Sequence, residues 1–89
     1  MKTLMAIVSG RVQGVWFRGS TQSEAHRLKV LGYAKNLPDG TVEVLMQGED
    51  TDVAELLVWL RHGPETARVD HVALSTETPR SDLTGFRVL

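Results

Sequence analysis

Leu4-Met5-Ala6-Ile7-Val8 is an unbroken apolar run, and it predicts a buried strand over about residues 4–10. A turn containing two glycines follows, Gly10-Arg11-Val12-Gln13-Gly14-Val15-Trp16-Phe17-Arg18, and leads into a helix-permissive segment from about Gly19 to Leu31. On that helix Ala25 and Leu28 fall on the inner face, with Glu24, Arg27 and Lys29 towards water. Thr21-Gln22-Ser23-Glu24 has capping-box spacing, and the helix starts there or nearer Gly19. A second strand, about 33–37, runs into Pro38-Asp39-Gly40, a turn signal. The third strand then alternates, Val42, Val44 and Met46 inward and Glu43, Leu45 and Gln47 on the other face. So short a connection makes these two strands an antiparallel hairpin. A second helix has Asp52 as N-cap with Glu55 three residues on. Val53, Leu56, Leu57 and Leu60 form its apolar stripe, and Gly63-Pro64 stops it. A fourth strand over about 68–77 places Val72 and Leu74 on one face. After a turn-rich stretch from Pro79 to Thr84, Phe86-Arg87-Val88-Leu89 forms a short last strand.

The order is β-α-β-β-α-β with one extra short strand, an α+β chain of the ferredoxin-like, split β-α-β kind. It predicts an antiparallel sheet carrying both helices on one face. With 89 residues the expectation is one domain over residues 1–89. Such a chain buries roughly 60–65% of its unfolded surface, enough for one core between a sheet and a helical layer.

Composition narrows the function. A formal net charge of −1 disfavours a general nucleic-acid binder. The charge is uneven, since residues 1–23 carry Lys2, Arg11 and Arg18 and no acid. The absence of cysteine removes disulfides, thiolate metal sites and cysteine nucleophiles, and fits a reducing cytoplasm, the expected location. No apolar run approaches a membrane span or a signal-peptide core. A monomer without cofactor is the default.

A glycine-containing turn between a strand and a helix aims backbone N–H groups and the positive end of the helix dipole at one point. Arg18 closes that turn and adds a fork of charged donors, so the natural guest is a phosphate or a carboxylate. The motif is neither a Walker loop nor a three-glycine dinucleotide fingerprint, and magnesium ligands are lacking. What remains is a metal-free cradle for a small phosphoryl group, with solvated arginines on a tight turn as the plainer alternative. Asn36, ahead of Leu37-Pro38-Asp39-Gly40, reads by itself as a turn residue. Trp16 and Phe17 read as packing the loop onto the sheet rather than as base-stacking platforms. His26, His62 and His71 show no metal-ligand spacing and read as surface residues.

Val8-Ser9-Gly10-Arg11-Val12-Gln13-Gly14-Val15-Trp16-Phe17-Arg18 is similar to the first signature of the acylphosphatases. Gly32-Tyr33-Ala34-Lys35-Asn36-Leu37-Pro38-Asp39-Gly40-Thr41-Val42, with Gly48 further on, resembles the second. The likeness continues through Trp59-Leu60, Gly63-Pro64, Ala67-Arg68-Val69 and Phe86, so it covers essentially the whole chain. It implies a ferredoxin-like fold and hydrolysis of the carboxyl-phosphate bond of small acyl phosphates, giving a carboxylate and inorganic phosphate. Inorganic phosphate would then be both product and inhibitor. The resemblance also implies that the backbone amides of Gln13, Gly14, Val15, Trp16, Phe17 and Arg18, with the Arg18 side chain, hold the phosphoryl group. It makes Asn36 the residue that positions the attacking water. One departure stands out: the family pattern has Leu-Gly-Leu where the first helix ends, and this chain reads Leu28-Lys29-Val30-Leu31.

Two other readings compete. An anion-binding module without catalysis, or a relative of the acylphosphatase-like domain of hydrogenase-maturation carbamoyl transferases, would keep the fold. Against both stands the presence of Arg18 and Asn36 together. An RNA-binding ferredoxin-like domain is disfavoured by the net charge of −1 and by the lack of an aromatic-rich central strand.

Overall fold

A computed structural model describes residues 1–89. Seven elements follow in order: β1 (Lys2–Arg11), α1 (Phe17–Leu28), β2 (Leu31–Asn36), β3 (Val42–Gly48), α2 (Asp50–Leu60), β4 (Arg68–Thr76) and β5 (Phe86–Val88). They form one five-stranded sheet in the order β4-β1-β3-β2-β5. The four long strands pair antiparallel, while β5 lies parallel to β2, so the sheet is mixed at that edge. The parallel strand reflects how the chain arrives. Thr76, at the end of β4, lies in one cross-strand row with Leu4, Met46, Gly32 and Phe86, so residues 77–85 cross the sheet at the end where β2 begins and β5 runs on beside it in the same direction.

One face of the sheet carries the core. Ala6, Val8, Ala34, Val42, Val44 and Met46 point to it and pack with Phe17, Ala25 and Leu28 of α1 and Val53, Leu56 and Leu60 of α2. The alternation foreseen for β3 is present. Leu45 and Gln47 on its other face are nonetheless buried as well, at 1% and 4% exposure. The crossing segment holds Gln47, which accepts from the Arg80 N–H at 2.8 Å and donates to the Arg80 carbonyl at 2.8 Å. Val72 of β4 is buried, whereas Leu74, expected beside it, is 43% exposed near the end of an edge strand. No helix is long and apolar enough to cross a membrane.

Both helix starts differ from the sequence reading. Helix α1 begins at Phe17, so Thr21 lies a full turn inside it, buried, with its hydroxyl donating to the Phe17 carbonyl at 2.7 Å. The Thr21–Glu24 capping box is therefore not formed, because the packing of Phe17 starts the helix earlier. Helix α2 begins at Asp50 with Glu49 as N-cap, which puts Asp52 in the first turn. There its charge still favours the positive end of the helix dipole. At the other end of α1, Lys29 takes the left-handed conformation, φ 58° and ψ 36°, as the family pattern implies for a position usually held by glycine.

Candidate active site

The loop between β1 and α1 turns through two residues of positive φ, Gly14 at 73° and Trp16 at 65°. Glycine takes this geometry freely, whereas a residue with a Cβ is strained there by about 1–2 kcal/mol. The Trp16 indole lies against Gly19, where an added Cβ would come within 2.5 Å of a ring carbon. Sequence reading expected both aromatics to pack the loop onto the sheet. Phe17 does so, at 1% exposure, with its ring 5.9 Å from that of Trp59. Trp16 does not: it is 77% exposed, because the left-handed step turns its side chain away from the core.

The donors of this loop are free. Outside the regular elements and their caps, no hydrogen bond within the chain uses the backbone N–H groups of Gly14 to Gly19. Helix α1 has no side-chain cap and no acid in its first turn. Its unpaired amides and the positive end of its dipole thus face one place, the arrangement that binds anions at helix N-termini. Thr66 fixes part of this loop, its hydroxyl donating to the Val15 carbonyl at 2.7 Å.

Arg18 sits in the first turn of α1. Its Nη1 donates to the Leu89 carbonyl at 2.6 Å, leaving the other guanidinium donors available. The neighbouring Gln22 donates to the Phe86 carbonyl at 2.9 Å, so α1 is tied to β5 at two points. Asn36 is the last residue of β2, opposite Val42, and Val42 pairs in turn with Val8. That register places Asn36 on the helix-covered face, at the end of the sheet nearest the loop. Its Oδ1 is buried and accepts no hydrogen bond. Buried polar atoms almost always find partners, and one that does not costs roughly 1–3 kcal/mol. Such an acceptor suits a donor brought by a ligand or a water.

Gly14, Val15, Trp16, Phe17, Arg18 and Asn36 line one cavity of about 710 Å³, and Arg18 is the sole charged residue in its wall. Gln13, also expected at the site, does not line it. Its side chain turns to the β2–β3 connection instead, where Nε2 donates to the carbonyls of Leu37 at 2.8 Å and Thr41 at 2.9 Å. Sequence reading missed Gln22, one turn beyond Arg18 on α1, and Thr66 and Val88, which complete the wall from distant parts of the chain. No local pattern around those residues signals the role. Asp39 shapes the connection: its Oδ1 accepts from the Thr41 amide and hydroxyl at 3.0 and 2.6 Å, and these bonds hold its carboxyl below the usual range. All three histidines are exposed.

Comparison with known proteins gives one consistent result. The family described as Acylphosphatase matches residues 4–88. The acylphosphatase of Hahella chejuensis (strain KCTC 2396) is 52% identical over 85 residues, which cover 96% of this chain and 90% of that protein. The crystal structure of an acylphosphatase from Bacillus subtilis matches with a TM-score of 0.95 at 30% identity, covering 100% of this chain and 99% of that one. HypF of T. kodakarensis also matches over 100% of this chain, with a TM-score of 0.87 and 30% identity, but over only 12% of its own length.

Proposed function

Because this chain belongs to the acylphosphatase family, we propose that its loop amides and Arg18 hold the phosphoryl group of an acyl phosphate while Asn36 orients the attacking water. The reaction class follows from the family: water enters, and a carboxylate and inorganic phosphate leave. The division of labour among residues is our own reading. One observation carries it. The unpartnered Oδ1 of Asn36 belongs to a residue lining the same cavity as a row of free amides and a single cation. The amides in question run from Gln13 to Arg18, with the support resting on Gly14 to Arg18, whose residues line the cavity.

In a loose phosphoryl-transfer transition state, negative charge spreads over the equatorial oxygens as the leaving group departs. The water oxygen bonds to phosphorus while the bond from phosphorus to the acyl oxygen breaks, and the carboxylate takes that electron pair. A carboxylate leaves readily, so strong general-acid help is not required. Rate then comes from placing water in line and from donors preorganised around the phosphoryl oxygens. The Asn36 carboxamide is no base at neutral pH, so the water's proton goes to a phosphoryl oxygen. A single domain and a single chain supply every group in this scheme, which makes a monomer sufficient. The lack of cysteine is compatible with work in the cytoplasm.

The test is release of inorganic phosphate from acetyl phosphate beside p-nitrophenyl phosphate, a monoester with a poorer leaving group. Rapid hydrolysis of the first and negligible hydrolysis of the second is the expected result. Comparable rates on both, or none on acetyl phosphate, would overturn the scheme.

A further inference from the structure

We infer that the Gln13 side chain is a positioning residue that sets Asn36 relative to the phosphate loop. The inference rests on the water-orienting role proposed for Asn36. Gln13 belongs to the loop by sequence, yet its side chain faces away from the cavity. One nitrogen spends both of its protons on two carbonyls, those of Leu37 at 2.8 Å and Thr41 at 2.9 Å. Leu37 follows Asn36 directly, and Thr41 precedes Val42, the cross-strand partner of Asn36. The carboxamide therefore grips both sides of the connection just beyond the residue that matters.

Neither carbonyl needs this donor for its own sake. The Leu37 carbonyl already accepts from the Gly40 N–H at 3.1 Å, and the Thr41 carbonyl from the Leu37 N–H at 2.9 Å. The turn is closed without Gln13. What Gln13 adds is a fixed distance between two segments 24 and 28 residues apart in sequence, one carrying the phosphate donors and the other carrying Asn36. Attack in line is sensitive to such a distance, since a misplacement of about 1 Å can cost a hundredfold in rate.

A cycle of Gln13→Met, Asn36→Ala and the double variant tests this, with kcat on acetyl phosphate, inhibition by inorganic phosphate and melting temperature measured for each. Methionine keeps the length and loses the donors. Gln13→Met should lower kcat tenfold or more and leave the inhibition constant for phosphate within about threefold. In the Asn36→Ala background the same substitution should change kcat by no more than about twofold, although the melting temperature falls as it does in the single variant. A kcat loss that adds in full to that of Asn36→Ala, or a single variant with unchanged kcat, would overturn this inference alone. A kcat that survives Asn36→Ala would overturn the water-orienting role and the inference with it. If Gln13→Met does not fold, Gln13→Glu runs through the same cycle, placing an acceptor against the two carbonyls with the same expected pattern.

Discussion

Arg18 and Asn36 meet the same cavity, but losing them should cost different things. Arg18 brings the only charge to the wall, and in the proposed scheme it acts on the bound phosphate and on the transition state alike. Arg18→Ala should lower kcat by roughly 10²–10³, the worth of one preorganised donor, and weaken inhibition by inorganic phosphate. Its bond to the Leu89 carbonyl is exposed, so the fold should survive the change. In the same scheme Asn36 acts on the water instead. Asn36→Ala should lower kcat by a comparable factor and leave phosphate inhibition nearly intact. Steady-state kinetics on an acyl phosphate, with phosphate as inhibitor, separates the two. If Asn36→Ala loses phosphate affinity and keeps kcat, the two roles are assigned wrongly.

The end of α1 and the β2–β3 pair each carry a measurable consequence. Lys29 closes α1 with φ 58°, its N–H on the His26 carbonyl at 3.2 Å and the Val30 N–H on the Ala25 carbonyl at 2.9 Å. That is a Schellman ending, in which glycine is favoured because a Cβ costs roughly 1 kcal/mol. Lys29→Gly should therefore stabilise the chain by about that amount, raising the melting temperature by roughly 4–8 °C for a domain of this size. Since the residue is remote from the cavity, kcat should stay within about twofold. A lower melting temperature would mean that α1 continues past this point, where glycine costs about 0.8–1.0 kcal/mol against alanine. In the hairpin, the Tyr33 hydroxyl donates to Glu43 at 2.6 Å, and burial, then that bond, push its pKa from 10.0 up to about 12. Above pH 10 the unfolded chain ionises Tyr33 while the folded chain still holds the proton. The stability that Tyr33 contributes is therefore fully present below about pH 10, where it does not vary with pH, and is lost as pH rises from about 10 to about 12. Denaturation of the wild type and of Tyr33→Phe across that window checks it: the variant should show the shallower decline, and equal slopes would contradict the assignment.

Taken whole, the molecule brings one cation and a row of amides to the cavity and no carboxylate, histidine or cysteine. A divalent ion has nothing there to hold it except the substrate itself. Hydrolysis should accordingly survive exhaustive chelation and gain nothing from added magnesium. Activity lost in chelator and restored by a divalent ion would refute a mechanism built on donors alone.

Local periodicity was enough for the number, type and order of the elements. A strand that alternates as Val42, Val44, Met46 or a helix striped as Val53, Leu56, Leu60 states which side it must bury. The resemblance of the two signatures pointed to Arg18 and Asn36, and the packed chain brings both to the wall of one cavity. Sequence could not set the starts of the helices, because the packing of Phe17 decides where α1 begins and a capping pattern at Thr21 cannot compete with it. Nor could it orient β5, whose direction depends on a crossing segment pinned at Gln47. The site itself is a tertiary product: Thr66 holds the loop from 51 residues away, and Gln13 reaches 24 and 28 residues to the Asn36 turn. Such contacts leave no periodic trace, since a hydrogen bond between distant segments constrains two isolated residues and not the pattern around either. Periodicity determined the layers, and the resemblance of the two signatures implied the kind of chemistry; only the packed chain decided which donors stay free and which acceptor is left unpaired in the same cavity.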